Sequence, residues 1–588
     1  MNNFNQIIEE CFNKIYSSTH SINICYEIDE CKKKLSMEYE EEFRDFYNHM
    51  IKNQKEKGAV YTPEGIVKYM VQHVIKEYMI VENPFIKILD PSCGGGNFII
   101  EIYRHLNNIY LKNLNYINEV HGLKLKEKTL YKHIMENNLY GFDIDETALK
   151  ILRLDIWNII KANDFKDNII ARDFLTLDSE EKFNIIIGNP PYIGHKSIDK
   201  DYVKTIKNTY KEVYVNKSDI CYCFINKAKD FLKDNGSLAL ILSRYLMEAQ
   251  SAKGIREFIR KNYSIEKIVD FYGLRPFKGN GIDPLILFLT YKNVENYNFK
   301  VIRPYIRQIR KKDFDFIDSL VNGKDLNILC SNKKDLNQDF WRILDPIEKN
   351  IIRKIEEKSQ GSLREIGENF QGVITGCDRA FIVTEDDIDK YKIEKSLLRP
   401  WIKSSNLYNG GINNNYKWLI YSNDIEIGIH KNALKYIENY YSKLKNRREC
   451  KRNIRKWYEL QWGRDKKLFN EEKIIYPYKA SENRFVLDKS GCYFSADIYG
   501  FTITNPKVNP KFIANLLNST LYEFYIKCNL KKLGDYLYEY YPNRLLHIKV
   551  FENEECILKE DFKDEELYSF YNITLEEIRF IENKLSRE

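Results

Sequence analysis

The sequence predicts an α/β fold. A mostly parallel, doubly wound sheet comes first, and a more irregular α+β region follows. Three observations point that way. Short apolar runs alternate with amphipathic helical stretches from about Ile86 to Tyr291. Acidic residues stand at the ends of three successive apolar runs, where a parallel sheet presents its ligand crevice. Near Val294 the alternation stops, and charged helices mix with short aromatic strands.

The elements follow in chain order. The first fifty residues lack glycine and proline and read as short amphipathic helices. Ile86 to Leu89 reads as a buried strand, and a helix starts at Asn97. Leu139 to Phe142 is the next strand. A helix from Glu146 carries Leu149, Leu152, Ile156, Ile159 and Ile160 on one face. Ile169-Ile170 marks an edge strand, and Phe183 to Ile187 a central one. Ile220 to Phe231 is a helix stopped at Asn235-Gly236. Ser237 to Leu242, Ile265 to Phe271 and Pro284 to Tyr291 supply the remaining strands. The division expected is 1–50, a helical segment; 51–300, the sheet domain; and 301–588, the second domain.

Composition narrows the class. A chain of 588 residues exceeds one core, and 43% hydrophobic with 30% charged residues fits a globular protein. No apolar run spans a bilayer, and the start lacks a secretory pattern, so a cytoplasmic location is expected. The twelve cysteines are scattered, which favours reduced thiols over disulfides, and no cluster suggests a metal. Net charge is 92 − 85 = +7, too small to prove a polyanionic partner. Its distribution says more: Arg447, Arg448, Arg452, Arg455 and Lys456 crowd a stretch interleaved with Tyr441, Trp457, Tyr458 and Trp462. Such mixing suits a phosphate backbone and exposed bases, although a solvated helix face has the same composition.

The chemistry concentrates at strand ends. Asp90-Pro91-Ser92-Cys93-Gly94-Gly95-Gly96-Asn97 follows the first strand, and its glycines permit close backbone approach to a ligand. It is not the dinucleotide fingerprint, because Ile99 replaces the third glycine. Asp143 ends the next strand and is placed to accept ribose hydroxyls. Asp173, before Phe174, ends a third and is suited to an amino group on a purine. Asn189-Pro190-Pro191-Tyr192 leaves the fourth strand. Its prolines donate nothing, so this loop offers carbonyl oxygens and one aromatic face to a flat, amino-bearing group.

This set resembles the S-adenosylmethionine-dependent amino-methyltransferases, specifically the γ-class N6-adenine DNA methyltransferases with a TaqI-type target-recognition domain. The resemblance implies a Rossmann-like methyltransferase domain that binds S-adenosyl-L-methionine and acts on double-stranded DNA. By position it implies that Tyr61 and Thr62 lie at the methionine end of the cofactor. Asp90, Gly94 and Gly96 match the cofactor turn, Asp143 the ribose acid, and Asp173 with Phe174 the adenine site. Asn189, Pro190 and Tyr192 match the catalytic loop, and Phe277 an aromatic that packs with Tyr192 against the target base. The long interval from Asp90 to Asp143 departs from the usual unit and is read as an extra helix. Gly372 to Phe381, Leu398 to Trp401, Ile475 to Tyr478 and Leu516 to Ser519 match successive parts of the recognition domain.

Rival readings differ in a few residues. A cytosine-C5 enzyme needs a cysteine after proline, and no Pro-Cys pair occurs. Cytosine-N4 enzymes usually begin the loop with serine. Protein-glutamine enzymes share the loop but lack a large second domain, and an RNA adenine target stays open. A non-catalytic component of a restriction or antiphage system is the alternative of another class. The segment before Gly58 is shorter than an ordinary nuclease domain, so any cleavage is expected from a separate protein.

Overall fold

The computed structural model describes residues 2–17, 21–51, 62–178, 180–192, 199–215, 218–277, 283–305, 315–336, 339–413, 416–534, 536–551 and 560–587. The chain forms two compact units, Met1–Ile343 and Leu344–Glu588.

In the first unit, nine strands among the described residues form one sheet. They are β1 (Ile88–Asp90), β2 (Leu139–Asp143), β3 (Asn168–Ala171), β4 (Phe183–Gly188) and β5 (Leu232–Ser243), then β6 (Ser264–Asp270), β7 (Pro284–Thr290), β8 (Asn298–Arg303) and β9 (Asn327–Asn332). The order is β3-β2-β1-β4-β5-β7-β6-β8-β9. The first five pair in parallel; β7 runs antiparallel to both β5 and β6, and β9 to β8. β1 lies between β2 and β4, so the order reverses there and opens a crevice at the carboxyl ends.

Two apolar clusters cover the two faces. One gathers Ile66, Met70, Ile99, Leu106 and Phe271; the other Phe174, Phe224, Phe231, Ile259 and Trp341. The strands are continuous apolar runs because both faces are covered. The long interval after β1 is filled by a 25-residue helix, Asn97–His121, and by helical turns from Glu127 to Asn138. The strand expected from Ser237 begins earlier, at Leu232, and runs through Asn235-Gly236 with Asn235 at positive φ. β8 and β9 extend the sheet beyond residue 300, so the first unit runs later than expected. Their alternating polar edges hid their membership.

The N-terminal helices Asn2–Tyr16, Ser21–Leu35 and Phe43–Ile51 are part of the first unit. They pack on Ala148, Ile151, Leu154 and Trp157 of helix Glu146–Ile160. Buried Asp155 accepts the N–H groups of Phe43 (2.8 Å) and Arg44 (2.9 Å), so it satisfies donors left open at a helix start. Cys11 and Cys31 form a disulfide with Cα atoms 5.9 Å apart, against the expectation of reduced thiols throughout. Twelve scattered cysteines gave no spacing signal, and the pair meets only because two helices pack side by side.

The second unit contains small, mostly antiparallel sheets and two cores of its own. One sheet joins Gly367–Gln371, Ile498–Ile503, Lys473–Pro477 and Val486–Asp488. A buried Lys473–Asp488 ion pair (2.6 Å) ties two of these strands. The Asn518 side chain donates to Phe485 O (2.6 Å) and accepts from Phe485 N (2.9 Å), standing in for a strand neighbour. Among the described residues, no helix is long and apolar enough to cross a membrane.

Candidate active site

Three loops meet at the reversal point. The turn after β1 is tight because Gly96, with φ +94°, leaves no room for a side chain: a Cβ there would lie 2.1 Å from Leu152. Gly94, also at positive φ, donates its N–H to Asp143 Oδ2 at 2.8 Å, which ties the glycine turn to the acid on β2. Asp143 Oδ1 accepts from Asp145 N at 2.8 Å. Asp145 then caps helix Glu146–Ile160 through Thr147 N and Ala148 N and receives the Tyr47 hydroxyl at 3.2 Å.

Asp90 is buried, 1% exposed, and accepts from Ser92 N at 3.0 Å. Burial pushes its carboxyl up to about 8, and the neighbouring charge of Asp143 adds to the rise. Asp143 is raised as well, mainly by burial. Gly188, at the end of β4, faces Asp90 so closely that a Cβ would meet Oδ1 at 2.5 Å. β4 and β1 therefore converge through a glycine.

Asn189 is half-buried, with both ends of its amide engaged. Nδ2 donates to Thr62 Oγ1 at 3.0 Å, and Oδ1 accepts from the Tyr192 hydroxyl at 2.8 Å. Ser92 Oγ donates to Asn189 O at 3.3 Å, linking the first loop to the last. The Thr62 contact orients the amide and leaves its oxygen towards Tyr192. This role for Thr62 was not legible in the sequence, because 127 positions separate the partners. Pro190 is buried, and Tyr192 rests on the same apolar cluster as Phe271, Leu274 and Phe277.

Other expected residues are placed less simply. Asp173 Oδ2 accepts from the hydroxyls of Tyr202 (2.9 Å) and Thr176 (3.2 Å), so Tyr202 is an additional neighbour of that acid. Phe174 is buried against Phe224 and Phe231 on the far apolar cluster. Phe277 is 3% exposed and belongs to the cluster that supports Tyr192. Tyr61 lies outside the described residues.

In the second unit, Arg448, Arg452 and Lys456 are exposed, and Arg455 lies over the Trp462 ring at 5.6 Å. Arg447 differs. Its guanidinium donates to the carbonyls of Leu444 (3.1 Å), Thr375 (3.1 Å), Trp457 (2.8 Å) and Glu459 (2.8 Å). It is a staple between the Gly372–Phe381 segment and the basic stretch, a structural role beside the DNA contact expected of it. Arg464 holds the same segment from Gly372 O at 3.3 Å.

A doubly wound sheet with an acceptor-rich loop at its reversal point is the arrangement expected of a methyltransferase acting on an amino group. The family model of the Eco57I restriction-modification methylase matches residues 137–277, and that of the TaqI-like C-terminal specificity domain matches residues 400–549. The chain is an Eco57I/TaqI-like type II DNA methyltransferase of the adenine-N6 type, with a TaqI-like C-terminal specificity domain. It is 22% identical over 574 residues to the type II methyltransferase M.BstVI of Geobacillus stearothermophilus, covering 90% of this chain and 98% of that one. It is 24% identical over 487 residues to the type II methyltransferase M.HindII of Haemophilus influenzae, covering 79% and 83%. Against the fused restriction enzyme and methyltransferase RM.Eco57I of Escherichia coli, 25% identity over 410 residues covers 60% of this chain and 40% of that protein. Among solved structures, the type IIL restriction-modification enzyme MmeI in complex with DNA shares the fold: TM-score 0.63, 15% identity, 91% of this chain and 76% of that one.

Proposed function

We propose that Asn189, Pro190 and Tyr192 carry methyl transfer to the N6 amino group of an adenine rotated out of duplex DNA. We propose S-adenosyl-L-methionine as the donor. The observation that carries this reading is the Asn189 amide: Thr62 fixes it, and its oxygen meets a donor, the Tyr192 hydroxyl, at 2.8 Å. An adenine amino group replacing that hydroxyl would find an acceptor already aimed.

The residues present fit the donor. Asp143 offers a carboxylate to ribose hydroxyls, and Gly94, Gly96 and Gly188 keep the backbone thin around it. Asp90 is a buried carboxyl with no basic partner among the described residues, and a cationic ligand would draw it into its charged form. When bound, S-adenosyl-L-methionine supplies an electrophilic methyl group.

The chain's own part is orientation. An aromatic amine holds its lone pair in the ring. Asn189 Oδ1 and the Pro190 carbonyl each accept one N6–H, which favours a pyramidal nitrogen with its lone pair directed away from the loop. Positive charge grows on nitrogen as it reacts, so these fixed dipoles stabilise the transition state more than the ground state. One N6 proton then leaves to water, and no general base is needed. Rotation of the base costs a few kcal/mol, offset in part by stacking on Tyr192 and packing against Phe277. In the second unit, Arg448, Arg452, Arg455 and Lys456 would hold the phosphate backbone.

Long-read sequencing of DNA from cells with and without the protein tests the reading, since it reports the modified base and its context together. N6-methyladenine at one motif is the expected result; no new mark on DNA would overturn it. A narrower reading, a stand-alone enzyme similar to clostridial DNA adenine methyltransferase A, rests on the sequence resemblance alone. Methylation in a strain without a nuclease that cuts the same motif tests it.

A further inference from the structure

Beyond β4, the carboxyl edge of the sheet holds a buried ionic cluster that the reaction described above does not use. β6 ends at Asp270, which is 0% exposed. Its Oδ1 accepts Arg244 Nε at 2.8 Å, just after β5, and its Oδ2 accepts Arg303 Nε at 3.0 Å, the last residue of β8. Arg244 also donates to Glu248 Oε1 at 2.7 Å, and Arg303 to Ile343 O at 3.1 Å. Two cations thus meet two carboxylates, and a single aspartate joins three strands.

This cluster grips the turn that follows β6. Asp270 Oδ1 also accepts the N–H of Tyr272 at 3.0 Å. Tyr272 has φ +47° and Gly273 φ +109°, so two consecutive residues are left-handed. Glycine tolerates that conformation, and tyrosine is strained in it. The sequence has glycine at the second position and keeps tyrosine at the first, so the ring must offset its strained backbone. Both guanidiniums lie over that ring, with Arg303 Cζ 4.6 Å and Arg244 Cζ 5.3 Å from its centroid. The turn goes on through Leu274, whose N–H returns to Phe271 O at 2.9 Å, and ends at Phe277. Phe271, Leu274 and Phe277 lie in the cluster on which Tyr192 and Tyr272 both rest.

We propose that Tyr272 is a positioning residue for the extruded base: gripped by Arg244 and Arg303, it sets the turn 271–277 against the apolar surface shared with the catalytic-loop Tyr192. The base then enters a slot whose far wall is already in place, instead of ordering it on entry. This rests on the base-extrusion reading above.

The test uses the full chain, an adenine duplex for kcat, the same duplex with 2-aminopurine at the adenine that sequencing identifies for fluorescence, and the variants Tyr272→Gly, Tyr272→Leu and Tyr272→Phe. Glycine relieves the strain but also removes the ring that offsets it and frees the unfolded chain, so Tm is expected to hold or fall slightly. In the same variant kcat is expected to fall roughly 10- to 100-fold, with KM for the methyl donor unchanged. The 2-aminopurine fluorescence rise on binding should shrink with it. Leucine keeps the bulk and the strain without a π face, so it should lose kcat and fluorescence as glycine does, at a lower Tm. Phenylalanine should restore both kcat and fluorescence. Wild-type values of kcat and fluorescence in the leucine variant, or no recovery with phenylalanine, would overturn the proposal. If the wild-type protein methylates DNA without any fluorescence rise, or does not methylate it at all, the base-extrusion reading fails instead.

Discussion

On the β1–β4 side of the sheet, Asp90 and Asp143 stand at strand ends with backbone N–H partners and no basic side chain among the described residues. On the β5–β8 side, Asp270 lies as deep as Asp90 but between two arginines. Burial pushes Asp90 up to about 8. Burial would raise Asp270 too, yet Arg244 and Arg303 outweigh it and hold the carboxyl below the ordinary range. One half of a single sheet holds carboxyls that no cation among the described residues offsets, and the other half pairs its carboxylate with two cations. A carboxyl without a cation is what a cationic, hydroxyl-bearing ligand would draw into its charged form, and a matched ion pair is what a turn needs to stay in place.

Changes at the seam and in each half should separate these roles. The largest effect is expected at Asn189, on the loop that leaves β4. Asn189→Ala should lower methyl transfer by about 10²-fold or more, as loss of a preorganised dipole does, while donor affinity by calorimetry stays within a few fold. Equal loss of both would make the residue structural. Next comes Asp270→Asn, which leaves two buried guanidiniums short of a carboxylate. A loss of about 3–5 kcal/mol in denaturant unfolding is expected, and a loss under about 1 kcal/mol would erase the contrast with Asp90.

Thr62→Val should cost roughly tenfold in kcat, about 1.4 kcal/mol, because the Asn189 amide is no longer held one way round. Asp90→Asn should act oppositely to Asp270→Asn. A carboxyl near 4 when unfolded and about 8 when folded binds its proton more tightly in the native state. Its contribution is fully present below about pH 4 and is lost as pH rises through about 8. The variant should therefore gain Tm relative to wild type between pH 5 and pH 8 in the donor-free protein. A constant difference across that window would mean Asp90 is not proton-linked to folding. Replacing Arg448, Arg452 and Arg455 together should weaken DNA binding and flatten its salt dependence, by up to about 0.9 in the log–log slope per lost phosphate contact. Arg447 is left out of that set, since its four carbonyl contacts make Arg447→Ala a folding variant.

Much of the architecture was legible because strand and helix periodicity is local. Helix Glu146–Ile160 and strand β4 fall where the apolar spacing put them, and Asp145 caps its helix as an aspartate at that position does. β8 and β9 were not legible as sheet members, because short edge strands with alternating polarity read like the aromatic strands of the second unit. The basic stretch was legible as a charge density and not as a set of roles. Arg447 and Arg452 look alike in sequence, yet one is consumed by backbone carbonyls and the other is exposed.

Residue order alone thus settled the succession of strands and helices, the acids at strand ends and the proline loop, since each is encoded by neighbours within a few positions. Folding settled the partnerships across the sheet. Thr62 comes to Asn189 from 127 positions away, Asp155 reaches Phe43 and Arg44 across more than a hundred, and Asp270 gathers arginines from two other strands. Such contacts depend on which strands become neighbours, and strand order is a property of the assembled core that no local pattern contains.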